Sequence, residues 1–184
     1  LHESRPWGEV LRFMNKTSDN TATRLLFLQL GLAAMAQDPT TPTLALARRE
    51  AERWFDERRI DRNGFVIDNG SGLSRDERIS ARTMALMLQT ALKGPHAPEL
   101  LMSLPVAGVD GTMRRRLKGT PAEGWARLKT GTLKNVTALA GTVRDTKGET
   151  WVVVAMINHD DAAKGRAVLD ALMAWVAGSG ARWR

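Results

Sequence analysis

The chain has 184 residues, 43% of them hydrophobic and 26% charged, with a net charge of +7 and a pI near 10.5. This composition excludes a disordered chain and fits one or two globular domains. No apolar run is long enough for a membrane-spanning helix, and the absence of Cys excludes disulfides and thiolate metal centres without identifying a compartment. The basic balance attracts anionic partners: nucleic acid, an anionic envelope polymer or a carboxylate-bearing substrate. No nucleic-acid motif or aromatic stacking pattern accompanies the charge. The chain starts at Leu1 without a leader pattern, and is read as a processed product or a piece of a longer protein.

Residues Trp7 to Met14 read as a short amphipathic helix, with Trp7, Val10, Leu11 and Met14 at helical spacing. Asn15 to Asn20 is polar and turn-like. Thr21 to Met35 is apolar nearly all round, which predicts a buried helix. Ser18-Asp19-Asn20 therefore stands where a loop enters that helix, and taken alone it is an N-cap. A third helix spans Thr43 to about Arg59, with Leu44, Ala47, Ala51, Trp54 and Phe55 as its apolar stripe. Phe65 to Ile67 is a short strand-like piece, and Asn69 to Arg75 is a loop whose glycines suit positive φ. Helices follow over Ser80–Lys93 and Pro98–Leu104. Asp110-Gly111-Thr112 is expected to cap a last short helix through Leu117, with Arg114 to Arg116 on its solvated face.

After Gly124 the period changes to 2. Strands are predicted over Trp125–Thr132, Thr137–Arg144 and Thr150–Ile157, with Asp145 to Gly148 as the second hairpin turn. Val152 to Val154 reads as a strand buried on both faces. A closing helix starts near Asp160 and ends at Gly178 and Gly180. The fold class is α+β: residues 1–120 mainly helical, residues 121–184 an antiparallel sheet with a packing helix. On the first strand, Lys129 and Gly131 share one face, and Thr130 and Thr132 the other. Gly131 allows a ligand to approach the strand closely. A small carboxylate fits there, held by the Lys charge and the Thr donors.

Ser18-Asp19-Asn20 and Lys129-Thr130-Gly131 are 111 positions apart and in the order found in penicillin-binding proteins and class A β-lactamases. Four stretches, Asn15 to Asn20, Asn69 to Arg75, Val109 to Met113, and Lys129 to Lys134 with Ala138 to Gly141, make nearly the whole chain resemble the carboxy-terminal part of a class C low-molecular-mass penicillin-binding protein. Those are D-alanyl-D-alanine carboxypeptidases/endopeptidases of the S13 serine peptidase family. Asn69 departs slightly, since the family often has Asp there.

The resemblance implies a β-lactamase/transpeptidase-like fold with about three of its five strands present. It also implies serine acyl-enzyme chemistry on peptidoglycan peptides ending in D-Ala-D-Ala, acylation by β-lactams, no cofactor or metal, and a periplasmic or extracytoplasmic setting. Ser18 is then a proton relay to the leaving amine, and Asn20 holds the substrate amide. Lys129 sets the electrostatics of the site, while Thr130 and Thr132 bind the carboxylate beside Gly131. Leu73 and Arg75 line the groove. The family's S-x-x-K nucleophile is missing: no Ser here has Lys three residues later. The chain is therefore expected to be a fragment, inactive alone, whose partner is an amino-terminal segment of the same protein. The resemblance also leaves the last strand with an unpaired edge. Alternatives are a non-catalytic peptidoglycan-peptide-binding module and a class A-like β-lactamase, the latter lacking its usual acidic loop here. A basic nucleic-acid binder rests on charge alone.

Overall fold

The computed structural model describes residues 5–179. Helices α1 (Trp7–Thr17), α2 (Asn20–Ala34), α3 (Thr43–Glu57), α4 (Ala81–Leu92) and α5 (Ala97–Ser103) precede strands β1 (Arg127–Leu133), β2 (Val136–Arg144) and β3 (Thr150–Asn158). Helix α6 (Arg166–Ser179) follows, so the α+β class holds among the described residues. Packing divides the described residues into two units, one of residues 5–18 with 91–179 and the other of residues 19–90. This division does not coincide with the change of element type near residue 120, because α1 packs on α5 and on the Gly111–Met113 turn, and that turn packs on β1.

In the first unit the sheet is an antiparallel meander of order β1-β2-β3. Lys129 faces Ala140 across β1–β2, and Ala140 faces Val154 across β2–β3. Leu128, Leu139 and Val143 from the sheet meet Leu169, Met173, Val176 and Ala177 of α6, closed by Met113 and Ala107. Burying each large side chain of this kind contributes about 1.5–3 kcal/mol. The second hairpin turns as its sequence predicts. Asp145 is buried at the turn, and its carboxylate accepts from the N–H groups of Lys147 and Glu149 and from the Trp151 indole. The Val152–Val154 run is only partly buried, which corrects the expectation of burial on both faces. Strand β3 lies at the rim of the sheet, and its outer edge has no strand partner among the described residues.

Two further expectations change in this unit. Asp110 caps no helix; a 3-10 turn covers only Gly111–Met113, and the Asp110 side chain is used otherwise, as described below. The Arg114–Arg116 run is not a uniform solvated face either. Arg116 makes a paired contact with Asp170 of α6, while Arg114 and Arg115 are exposed.

In the second unit α2 packs on α3 at Gly31. A Cβ there would come within 2.1 Å of the Thr43 carbonyl oxygen, so only glycine permits that approach. Leu46, Ala47 and Phe55 of α3 are buried, and the Phe55 ring packs against Phe65 at a tilt of 45°, with 4.7 Å between centroids. The Phe65–Ile67 strand reduces to a single bridge, Val66 with Arg78. The expectation that α2 is buried all round is also corrected: only Phe27, Gly31 and Ala34 are buried, and Leu25 is 59% exposed. One helix neighbour cannot cover the whole circumference of an apolar cylinder.

Candidate active site

The site is built where α1 ends beside β1. Helix α1 stops because Ser18 turns into the left-handed region, at φ 58° and ψ 50°, with its N–H returned to the Met14 carbonyl. The N-cap of the next helix is Asp19, whose carboxylate accepts from the Ala22 N–H at 2.8 Å. The capping explanation of the Ser-Asp-Asn triplet therefore accounts for Asp19 and leaves the Ser18 hydroxyl to another partner. That partner is Lys129: its Nζ donates to Ser18 Oγ at 2.8 Å and to the Thr130 carbonyl at 2.9 Å. Lys129 and its neighbour Leu128 leave the strand on opposite faces, Leu128 into the core and Lys129 toward Ser18. Burial pushes the Lys129 ammonium below the ordinary lysine value.

The loop between α5 and β1 holds this arrangement. It starts alongside β1, where the Leu128 N–H donates to the Pro105 carbonyl at 2.8 Å and Ala107 donates to Ala126 at 2.9 Å. Asp110 then folds it back by accepting from the Val106 N–H at 2.8 Å. The same carboxylate binds Lys16 Nζ through both oxygens, at 2.8 and 2.6 Å. Burial acts to raise the Asp110 pKa, but the Lys16 ammonium and the Val106 N–H outweigh it and hold the carboxyl below its usual range. Gly111 takes φ 54° and lies so near α1 that a Cβ would sit 2.8 Å from the Lys16 carbonyl oxygen. Next to it, Thr112 Oγ1 accepts a hydrogen bond from Thr130 Oγ1 at 3.0 Å. Asn15 Nδ2 adds a bond to Ser103 Oγ at 2.8 Å.

The structure thus brings the Ser18 hydroxyl, the Lys129 ammonium and the Thr130 carbonyl together, while the Thr130 hydroxyl is bonded to Thr112, with Gly131 partly buried and Thr132 exposed further along β1. Asn20 opens α2 in the second unit. There the loop with positive φ at Gly70 and Gly72 passes it, a Cβ on Gly72 being 3.8 Å from Asn20 Oδ1. Leu73 and Arg75 of that loop are exposed. Reading the sequence by motif missed Lys16, Asp110 and Thr112 as residues of the site. The available signal was that Lys16 and the Asp-Gly-Thr triplet lie inside two of the stretches that carried the resemblance. Among the described residues no group of His, Asp and Glu is placed to hold a metal ion, and no helix is long and apolar enough to cross a membrane.

The model of the D-Ala-D-Ala carboxypeptidase 3 (S13) family matches residues 1–178. The chain belongs to that family. Among curated relatives, this S13 chain is 40% identical over 118 residues to a D-alanyl-D-alanine carboxypeptidase of Actinomadura sp. (strain R39), covering 61% of this chain and 22% of the relative. It is 36% identical over 184 residues to a carboxypeptidase of Mycobacterium tuberculosis, covering 92% of this chain and 37% of that protein. Its fold matches penicillin binding protein 4 of Haemophilus influenzae, solved in complex with a β-lactam. That match has a TM-score of 0.78 and 26% identity, and covers 94% of this chain and 42% of that one. The S13 chain therefore spans less than half the length of these relatives, and its fold is that of the corresponding part of a penicillin-binding protein.

Proposed function

We propose that this chain carries the Ser-Asn and Lys-Thr-Gly half of a peptidoglycan D-Ala-D-Ala carboxypeptidase/endopeptidase that works by serine acyl-enzyme chemistry. The observation that carries this reading is the 2.8 Å bond from Lys129 Nζ to Ser18 Oγ, between two motifs far apart in sequence. The nucleophile would come from an S-x-x-K segment that these 184 residues do not contain. That Ser attacks the penultimate carbonyl of the peptide, D-Ala leaves with a proton, and water then releases the acyl group. Ser18 relays the proton to the leaving amine. Lys129, donating to Ser18, stabilises the oxygen as that proton moves and adds positive charge for the substrate carboxylate. Asn20 holds the substrate amide, and Thr130 and Thr132 donate to the carboxylate beside Gly131. The Thr132 N–H forms half of the oxyanion hole. Leu73 and Arg75 line the groove. The setting is extracytoplasmic, and β-lactams acylate the same nucleophile.

The test is intact mass after incubation with a penicillin. The 184-residue chain alone gains no penicilloyl group, and gains one when the S-x-x-K segment is restored. An adduct on the chain alone would overturn the division of labour. Binding of D-Ala-D-Ala peptides without acylation of the restored protein would favour a non-catalytic binding module.

A further inference from the structure

We propose that Thr112 is a positioning residue that sets the preference of this site for a ligand with a terminal carboxylate. The proposal rests on the carboxylate-binding reading of Thr130 and deepens it. In the structure the Thr130 hydroxyl donates to Thr112 Oγ1 at 3.0 Å, so its proton is turned away from any ligand and its oxygen is held in one place. Thr112 is itself held from three sides. Asp110 closes the loop before it onto Val106 and Lys16, and Gly111 sits against the Lys16 backbone. Met113 after it is fully buried, with its carbonyl bonded to the Gly108 N–H at 3.1 Å. A hydroxyl anchored in this way is a fixed partner rather than a surface rotor.

A hydroxyl donates once and accepts through two lone pairs. When a carboxylate arrives, the Thr130 proton turns from Thr112 to the anion, and the Thr112 proton turns to the Thr130 oxygen. No O–H bond breaks and no proton is gained or lost. The reversed chain runs Thr112 to Thr130 to carboxylate, and each bond polarises the next, which strengthens donation to the charged end. A neutral carboxamide draws much less from such a chain, since hydrogen bonds to ionised acceptors are roughly twice as strong as neutral ones.

The test compares binding of an N-acylated D-Ala-D-Ala peptide with that of its C-terminal carboxamide by titration calorimetry on the 184-residue chain. The wild type binds the carboxylate form more tightly. Thr112→Val lowers that preference about threefold to tenfold with carboxamide binding unchanged, and Thr112→Ser restores it to within about twofold. Thr112→Ala serves the same comparison should the valine variant not fold. A preference intact in Thr112→Val or Thr112→Ala overturns the role of Thr112 and leaves the carboxylate reading standing. Equal weakening of both ligands also overturns it, as the mark of a merely structural residue. A wild type that does not distinguish the ligands overturns the carboxylate reading itself, and the inference with it, before any substitution is made.

Discussion

The Lys16 ammonium reaches both oxygens of Asp110, and so ties the end of α1 to the loop before β1. The lysine side chain is 14% exposed and the aspartate 36%, so solvent screens the pair only in part. Asp110→Asn removes the charge and keeps an acceptor for Val106, and is expected to cost about 1 kcal/mol. Asp110→Ala removes both, at about 2 kcal/mol. Urea denaturation measures each. The pH dependence follows from the depressed Asp110 pKa. Such a carboxylate stabilises fully above its unfolded value of 3.8, and the contribution is lost as pH falls through the lower folded value. The difference between wild type and Asp110→Asn should thus hold steady near neutrality and close in strong acid. A constant difference at every pH would mean that the charge is not what stabilises.

Ser18 has a left-handed backbone without being glycine, at φ 58°. That conformation costs a β-carbon-bearing residue about 1 kcal/mol, partly offset in glycine by its freer unfolded chain. Both Ser18→Gly and Ser18→Ala lose the bond from Lys129, so the comparison between them isolates the backbone: Ser18→Gly should be more stable than Ser18→Ala by up to about 1 kcal/mol. Thermal melts decide the order. An alanine variant more stable than the glycine variant would show that the turn is not under this strain.

Lys129 is charged in a place that resists charge. Its folded pKa lies below the unfolded value of 10.5, so the unfolded chain binds the proton more tightly. The penalty is fully present below the folded pKa and is relieved as pH rises from there toward 10.5. Lys129→Met should raise the melting temperature at neutral pH. The gap to wild type should narrow in alkali. A methionine variant less stable than wild type at pH 7 would mean that the bonds to Ser18 and Thr130 outweigh desolvation.

The outer edge of β3 is a surface for strand pairing. Trp151, Val153, Ala155 and Ile157 pack on the core, so Val154 lies on the other face. The chain should self-associate as its concentration rises through the micromolar range, and Val154→Lys should suppress this. Sedimentation velocity reads both. A wild type monomeric throughout would show that the edge is protected.

The meander was legible because alternation and the Asp145–Gly148 turn are local signals. The Ser18–Lys129 pairing was legible because two short motifs in a fixed order restrict each other, although neither says much alone. The bond between Thr112 and Thr130 and the ion pair of Lys16 with Asp110 had no such signature. They join residues 18 and 94 positions apart with no periodicity to mark them. The burial of α2 was misread for a related reason. A count of apolar residues gives the capacity to be covered, whereas the close contact at Gly31 decides which side is covered.

The contacts of this fold differ greatly in how much chain each must close. The β2–β3 hairpin forms across the Asp145 turn, whereas the Lys129–Ser18 bond closes a loop of 111 positions. Closure entropy grows with the logarithm of that length, by about 0.6 kcal/mol for each doubling. Distant contacts of this kind form slowly unless other packing has already shortened the chain between their ends. The hairpin can therefore assemble early from its own residues, while the site forms last. A probe on Ser18 would report that the whole first unit has arrived, and a probe on the Asp145 turn would report only that folding has begun.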